Sequence, residues 1–162
     1  MGYYKTAQIC ENGHVITASH SFSSDLHQDY CDKCGAKTIT ACPSCNANIH
    51  GKYEVEGVFD LSSTQLPTPS FCYNCGAAYP WTKSALEATQ ELLALESNLS
   101  PDELTYLNEN MASILVDTPK TKVVATKFKI ALGKIGLTTA SAVKDILVDV
   151  ASEAAKKIIF PQ

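Results

Sequence analysis

The sequence predicts an α+β fold, with two small β units in residues 1–81 followed by an all-α part of about four amphipathic helices in residues 82–162. Two observations predict it. All seven cysteines (Cys10, Cys31, Cys34, Cys42, Cys45, Cys72 and Cys75) fall in the first 75 residues, and the remaining 87 contain none. After "YPW" at residues 79–81 the apolar pattern changes from a period of two to a period of 3.6. A chain of this length suits a small metal-stapled head joined to a helical part.

The head is built from four paired turns: "CENGH" (Cys10, His14), "CDKC" (Cys31, Cys34), "CPSC" (Cys42, Cys45) and "CYNC" (Cys72, Cys75). An odd number of cysteines in C-x-x-C pairs, in a chain with no export leader, suits zinc better than disulfides. Structural zinc takes four thiolate or imidazole ligands in a tetrahedron. Seven thiolates and one imidazole make two such sites with nothing left over, so two structural zinc ions per chain are expected. A chain wrapped on a metal commonly turns left-handed just after the second ligand, which glycine and asparagine tolerate best. Gly35, Asn46 and Gly76 stand at those places.

Four pairs can join in three ways. Nesting would put Cys31, Cys34, Cys42 and Cys45 on one ion, but the linker "GAKTITA" has β-branched residues at its centre and, extended, spans roughly 26 Å. A crossed arrangement would resemble a RING finger. The sequential arrangement makes a first site of Cys10, His14, Cys31 and Cys34 and a second of Cys42, Cys45, Cys72 and Cys75. Its gaps of 16 and 26 residues suit zinc ribbons and hold strand-like "VITASHSF" and "KYEVEGVFDL", with Gly57 as a break. His20, His27 and His50 are surplus to the eight ligands and are read as surface or hairpin residues.

Closed sites leave no coordination position for substrate. No His-x-Glu with Pro-Cys-x-x-Cys, phosphate-binding glycine loop, Gly-x-Ser-x-Gly or His-Glu-x-x-His occurs. A non-enzyme with no small-molecule substrate is expected. The run "YCDKCGAKTITACPSCNANIHG", with "FCYNCGAAYPW", resembles the double zinc-ribbon modules of prokaryotic proteins. The whole layout is similar to a small bacterial family of uncharacterised proteins with a helical tail. The resemblance implies the same metal ligands, and it carries no activity over to this chain.

In the tail, "SALEATQELLALES" predicts a helix capped by Ser84 and Glu87, with Ala85, Ala88, Leu92, Leu95 and Leu99 along one stripe. Ser100, Pro101 and Glu103 start a second helix, and Thr118 with Pro119 a third, whose apolar face is Val124, Phe128, Ala131, Leu132 and Ile135. The fourth runs from about Thr138 to Ile159. It carries Ala140, Val143, Leu147, Val150, Ala154 and Ile158 on one side and Lys144, Asp145, Asp149, Glu153 and Lys156 on the other.

Charge is segregated behind the net value of −4: residues 82–117 hold one lysine against seven acids, residues 118–162 eight lysines against three. Arginine is absent. Lys120, Lys122, Lys127, Lys129 and Lys134 form a basic surface that suits nucleic acid, or that packs beside the acidic helices and is cancelled there; the second is expected. The expected function is a zinc-binding adaptor that docks a protein partner or a second copy through its head and helices. Nucleic-acid binding through the basic helix and the aromatics of the head is the alternative, weakened by a pI near 5.5. Membrane-surface association by the last two helices is a weaker one. The "MGYYKT" opening fits a loose myristoylation pattern but places bulky Tyr3 after the glycine, and it is set aside. No leader and no run of about 18 apolar residues occurs, so a cytoplasmic location is expected.

Overall fold

Five short strands precede five helices in the computed structural model, which describes residues 1–21, 24–60 and 65–162. The chain divides into two units, Met1–Thr82 and Lys83–Gln162.

In the first unit, strands β1 (Gly2–Thr6), β2 (Gln8–Cys10), β3 (Val15–Thr17), β4 (Thr38–Ile39) and β5 (His50–Val55) form two antiparallel sheets. One has the order β3-β2-β4, in which Ile9 faces Ile39 and Cys10 faces Thr38. The other pairs β1 with β5, Tyr3 opposite Glu54 and Tyr4 opposite Tyr53. Of the β-branched "TIT" stretch, Thr38 and Ile39 are extended, as their residue types favour, and form β4 beside β2, while Thr40 bends the chain away. Among the described residues of the second metal gap, β5 pairs not with a strand of the same gap but with β1 at the start of the sequence. Of the strand-like "VFDL", Val58 to Asp60 lie outside any strand after Gly57 at φ +82°, and Leu61 is outside the described residues, as is Phe22 of the earlier stretch.

The core of this unit is small. Ala7, Ile9, Ile49, Tyr79 and Trp81 are buried together with Cys42 and Cys72, and Val15, Ile39 and Leu66 pack against them. Tyr79 and Trp81 stack with ring centroids 4.7 Å apart, and Trp81 Nε1 donates to the Pro69 carbonyl at 2.8 Å. Buried Gln8 ties the loop before β4 to β2 by donating to the Gln28 carbonyl (2.7 Å) and Thr38 Oγ1 (2.9 Å).

The helices are α1 (Pro80–Ala94), α2 (Pro101–Asn110), α3 (Pro119–Leu132), α4 (Leu137–Val150) and α5 (Glu153–Ile159). α1 starts four residues before Ser84, because Pro80 is preorganised for the first helical position and the Thr82 hydroxyl fastens that turn to the Ser70 carbonyl at 2.9 Å. Its buried line runs through Thr89 and Leu93, and Leu95, predicted on the apolar stripe, is exposed beyond the helix end. α2 begins as predicted: the Ser100 hydroxyl accepts from Glu103 N (3.2 Å), and the Glu103 carboxylate accepts from Ser100 N (2.9 Å).

α3 buries Thr121, Val124, Ala125, Phe128 and Ala131, and Ile135 beyond its end is also buried. The predicted last helix is two. Ala151 is extended and Ser152 caps a new start, its N–H donating to the Ile114 carbonyl (2.8 Å) and its hydroxyl accepting from Ala155 N (3.2 Å). The break shifts the helical phase, so Ala155 and Ile159 are buried in α5, where an unbroken helix would have buried Ala154 and Ile158. Among the described residues, no helix is long and apolar enough to cross a membrane.

Candidate metal centres

Three turns of the first unit share one local construction. Gly35 N donates to the Cys31 carbonyl, Asn46 N to that of Cys42 and Gly76 N to that of Cys72, at 2.8, 2.8 and 2.9 Å. In each the first cysteine's own N–H donates back across the turn, to the carbonyls of Ala36, Ala47 and Ala77 at 2.8 Å. The closing residue has φ +72°, +63° and +73° respectively, the left-handed region expected from residue type. The fourth turn, Cys10 to His14, closes by Gly13 N to the Cys10 carbonyl (2.8 Å) with Gly13 at φ +89°.

These turns face each other in two clusters. Cys10, His14, Cys31 and Cys34 bring their donor atoms within 4.8 Å of one another, and so do Cys42, Cys45, Cys72 and Cys75. The grouping is sequential, so Cys34 and Cys42 belong to different clusters. Cys10 Sγ lies 3.8 Å from Cys34 Sγ, and His14 presents Nδ1 at 3.5 Å from Cys10 Sγ and 3.6 Å from Cys31 Sγ. In the second cluster Cys42 and Cys75 sulfurs are 3.8 Å apart and those of Cys45 and Cys72 3.7 Å. A disulfide needs about 2.05 Å, and all seven cysteines are free. Each cluster can hold one metal ion.

Burial repeats between the clusters. The leading cysteine of every pair is buried, while Cys34 and Cys75 are exposed. An asparagine two residues after a leading cysteine reaches across to the opposite pair in both: Asn12 Nδ2 to Cys34 Sγ (3.4 Å) and Asn74 Nδ2 to Cys45 Sγ (3.5 Å). Backbone donors add to this, His14 N to Cys10 Sγ (3.3 Å) and Asn74 N to Cys72 Sγ (3.4 Å).

Hydrogen bonds to sulfur favour the thiolate, and burial opposes it. The Ala36 backbone N–H, with the Asn12 amide, brings the Cys34 thiol down to about 6, and the Cys75 backbone N–H does the same for Cys72. The Asn74 amide lowers Cys45. Burial holds Cys10 above the ordinary thiol range. At Cys75 the Ala77 N–H pulls downward, but bonding to Cys45 and burial outweigh it, pushing the thiol up to about 11. A divalent ion displaces the protons that such a cluster shares. Burial, with the charge of Cys72 beside it, raises the Tyr79 phenol, so its ring stays neutral between the second cluster and Trp81.

The surplus histidines lie elsewhere. His20 and His27 stack on each other at 3.6 Å, and His50 is sandwiched between Tyr4 (4.1 Å) and Tyr73 (3.8 Å). Of the aromatics assigned to the head, Tyr79 and Trp81 are core, but Tyr53, Phe59 and Tyr73 are exposed. No local pattern marks Tyr53 as exposed, because its partner strand β1 lies almost fifty residues away. Among the predicted basic residues, Lys134 pairs with Glu103 of α2 and Lys127 sits 3.5 Å over the Tyr106 ring. Lys120, Lys122 and Lys129 are exposed.

Neither the comparison with curated proteins nor that with solved structures returns a match. A family model described as "Uncharacterized protein conserved in bacteria (DUF2321)" matches residues 3–159, nearly the whole chain, and the protein belongs to this bacterial family.

Proposed function

We propose that the protein is a non-catalytic adaptor whose head is held by two structural zinc ions and offers a docking face. The observation that carries the zinc assignment is the donor spacing. Zinc bonds of about 2.3 Å to sulfur and 2.05 Å to nitrogen, set at tetrahedral angles, place two sulfurs about 3.8 Å apart and a sulfur and a nitrogen about 3.6 Å apart. Three sulfur pairs lie 3.7 to 3.8 Å apart, His14 Nδ1 lies 3.5 and 3.6 Å from two sulfurs, and all donors of each cluster fall within 4.8 Å of one another. Zinc would be held by Cys10, His14, Cys31 and Cys34 in the first cluster and by the four cysteines of the second. Four protein donors complete each tetrahedron, which supports a structural role over a catalytic one.

The docking reading rests on the β1–β5 ribbon. Tyr4, Tyr53 and Val55 share one face of it, each at least two-fifths exposed, beside the His50–Tyr73 stack. Exposed aromatics on a two-stranded sheet are the residues that proteins use as interface anchors.

Metal analysis of the purified chain is expected to give two zinc ions; one or none would sink the assignment. Sedimentation velocity tests the docking half. A dimer that dissociates when Tyr4 and Tyr53 are both replaced by Ser is the expected result, and a monomer at all concentrations removes self-association.

A further inference from the structure

We propose that the outward face of α3 docks on an anionic phospholipid surface. The helix turns Thr121, Val124, Ala125, Phe128 and Ala131 into its own unit. Half a turn round from them, Val123 and Ile130 are 54% and 56% exposed. Seven residues separate the two, close to two full turns, so they share a ridge. The same step carries the series on in sequence to Leu137, 89% exposed at the start of α4.

Lysines repeat with that step on both sides of the ridge. Lys120, Lys127 and Lys134 line the flank toward α2, and Lys122 and Lys129 line the other. No acidic residue occurs between Asp117 and Asp145, although on the α2 side Asp102 and Glu103 line one hollow with Lys127 and Ile130. On the α2 flank Lys127 is engaged with Tyr106 and Lys134 with Glu103, while Lys120, Lys122 and Lys129 make no ion pair among the described residues.

Charge and apolarity together select the occupant. Nucleic-acid phosphates would satisfy the lysines but leave Val123 and Ile130 against water. The ridge is convex, so a protein partner would need a matching apolar groove with acidic walls. An anionic bilayer meets both requirements without a shaped partner: the ridge enters the acyl boundary while the lysine stems reach back to the phosphates. Two bulky apolar side chains and three unpaired lysines make the association weak, reversible and salt-sensitive.

The test is sedimentation of the full, zinc-loaded chain with phosphatidylcholine vesicles, alone or enriched in phosphatidylglycerol, at low and high salt. Binding is expected only to the phosphatidylglycerol vesicles and only at low salt. Lys122→Gln and Lys129→Gln are each expected to weaken it about fivefold, and Ile130→Asp roughly tenfold. Lys122 and Lys129 are exposed, so their variants should leave circular dichroism and the melting temperature unchanged, and Ile130→Asp, in the last turn of α3, should keep the dichroism and lower the melting temperature only slightly. Absence of binding, equal binding to neutral vesicles, or binding that survives the three changes combined overturns the proposal. So does a duplex-DNA mobility shift lost in Lys122→Gln and kept in Ile130→Asp, which would give the face to nucleic acid. A dimer dissociated by Ile130→Asp would give it to a second copy.

Discussion

The head and the helical unit are nearly equal in length but are held together by different physics. Among the described residues, the head buries five apolar side chains besides cysteine: Ala7, Ile9, Ile49, Tyr79 and Trp81. The helical unit buries sixteen, among them Leu93, Leu107, Met111, Ile114, Phe128, Val143 and Leu147. Burying a large apolar side chain contributes about 1.5–3 kcal/mol, so the helical unit draws roughly three times as much from its core as the head does. The head needs the cross-links that its eight donor atoms supply, as small domains with thin cores generally do.

The largest expected effect breaks that comparison if it fails. Structural zinc contributes on the order of 10–16 kcal/mol of apparent binding energy per site, more than the head's core can replace. Excess chelator should therefore unfold the head and leave the helices. Trp81 is the only tryptophan and lies in the head core, so its emission should shift to the red, while the far-ultraviolet helical signal persists. Loss of both signals together, or of neither, would show that the two units do not differ in this way.

The same difference explains what the sequence disclosed. Donor pairs in tight turns are local, and their spacing and following Gly or Asn are legible residue by residue. The fold class followed from them and from the change of period. Which stripe of a helix is buried was harder to read: Leu92, Leu93 and Leu95 crowd one turn, and only packing decides that Leu93 goes inside. The division of the last helix carried a signal in Ser152-Glu153, a cap and an acid for a first turn, but the apolar spacing continued through it and concealed it. The β1–β5 pairing joins the first residues to the fifties, and no local pattern encodes so distant a partner.

A mid-sized effect should fall on the other unit alone. Phe128 is fully buried in α3, and Phe128→Ala should cost about 3–5 kcal/mol through lost burial and the cavity left behind. Thermal melting followed by helical dichroism should drop accordingly. Zinc content and Trp81 emission should stay as in the parent protein. Parallel loss of zinc would mean that the head depends on the helical core.

The smallest effects sharpen the claim that the head is determined by its turns. Gly35 has φ +72°, and a Cβ built there would meet no atom within 4 Å. Gly35→Ala therefore isolates the cost of a left-handed alanine, about 1–2 kcal/mol, which corresponds to a loss of roughly five- to thirtyfold in affinity at the first cluster. Asn46 occupies the equivalent place in the second cluster at φ +63°, and its N–H already closes the turn on the Cys42 carbonyl. Glycine adopts that conformation at least as easily, so Asn46→Gly should change the second cluster by only a few tenths of a kcal/mol. Competition with a chromophoric zinc chelator measures both. Equal losses in the two variants would mean that the side chain at this position, not the left-handed backbone, is what the turn requires.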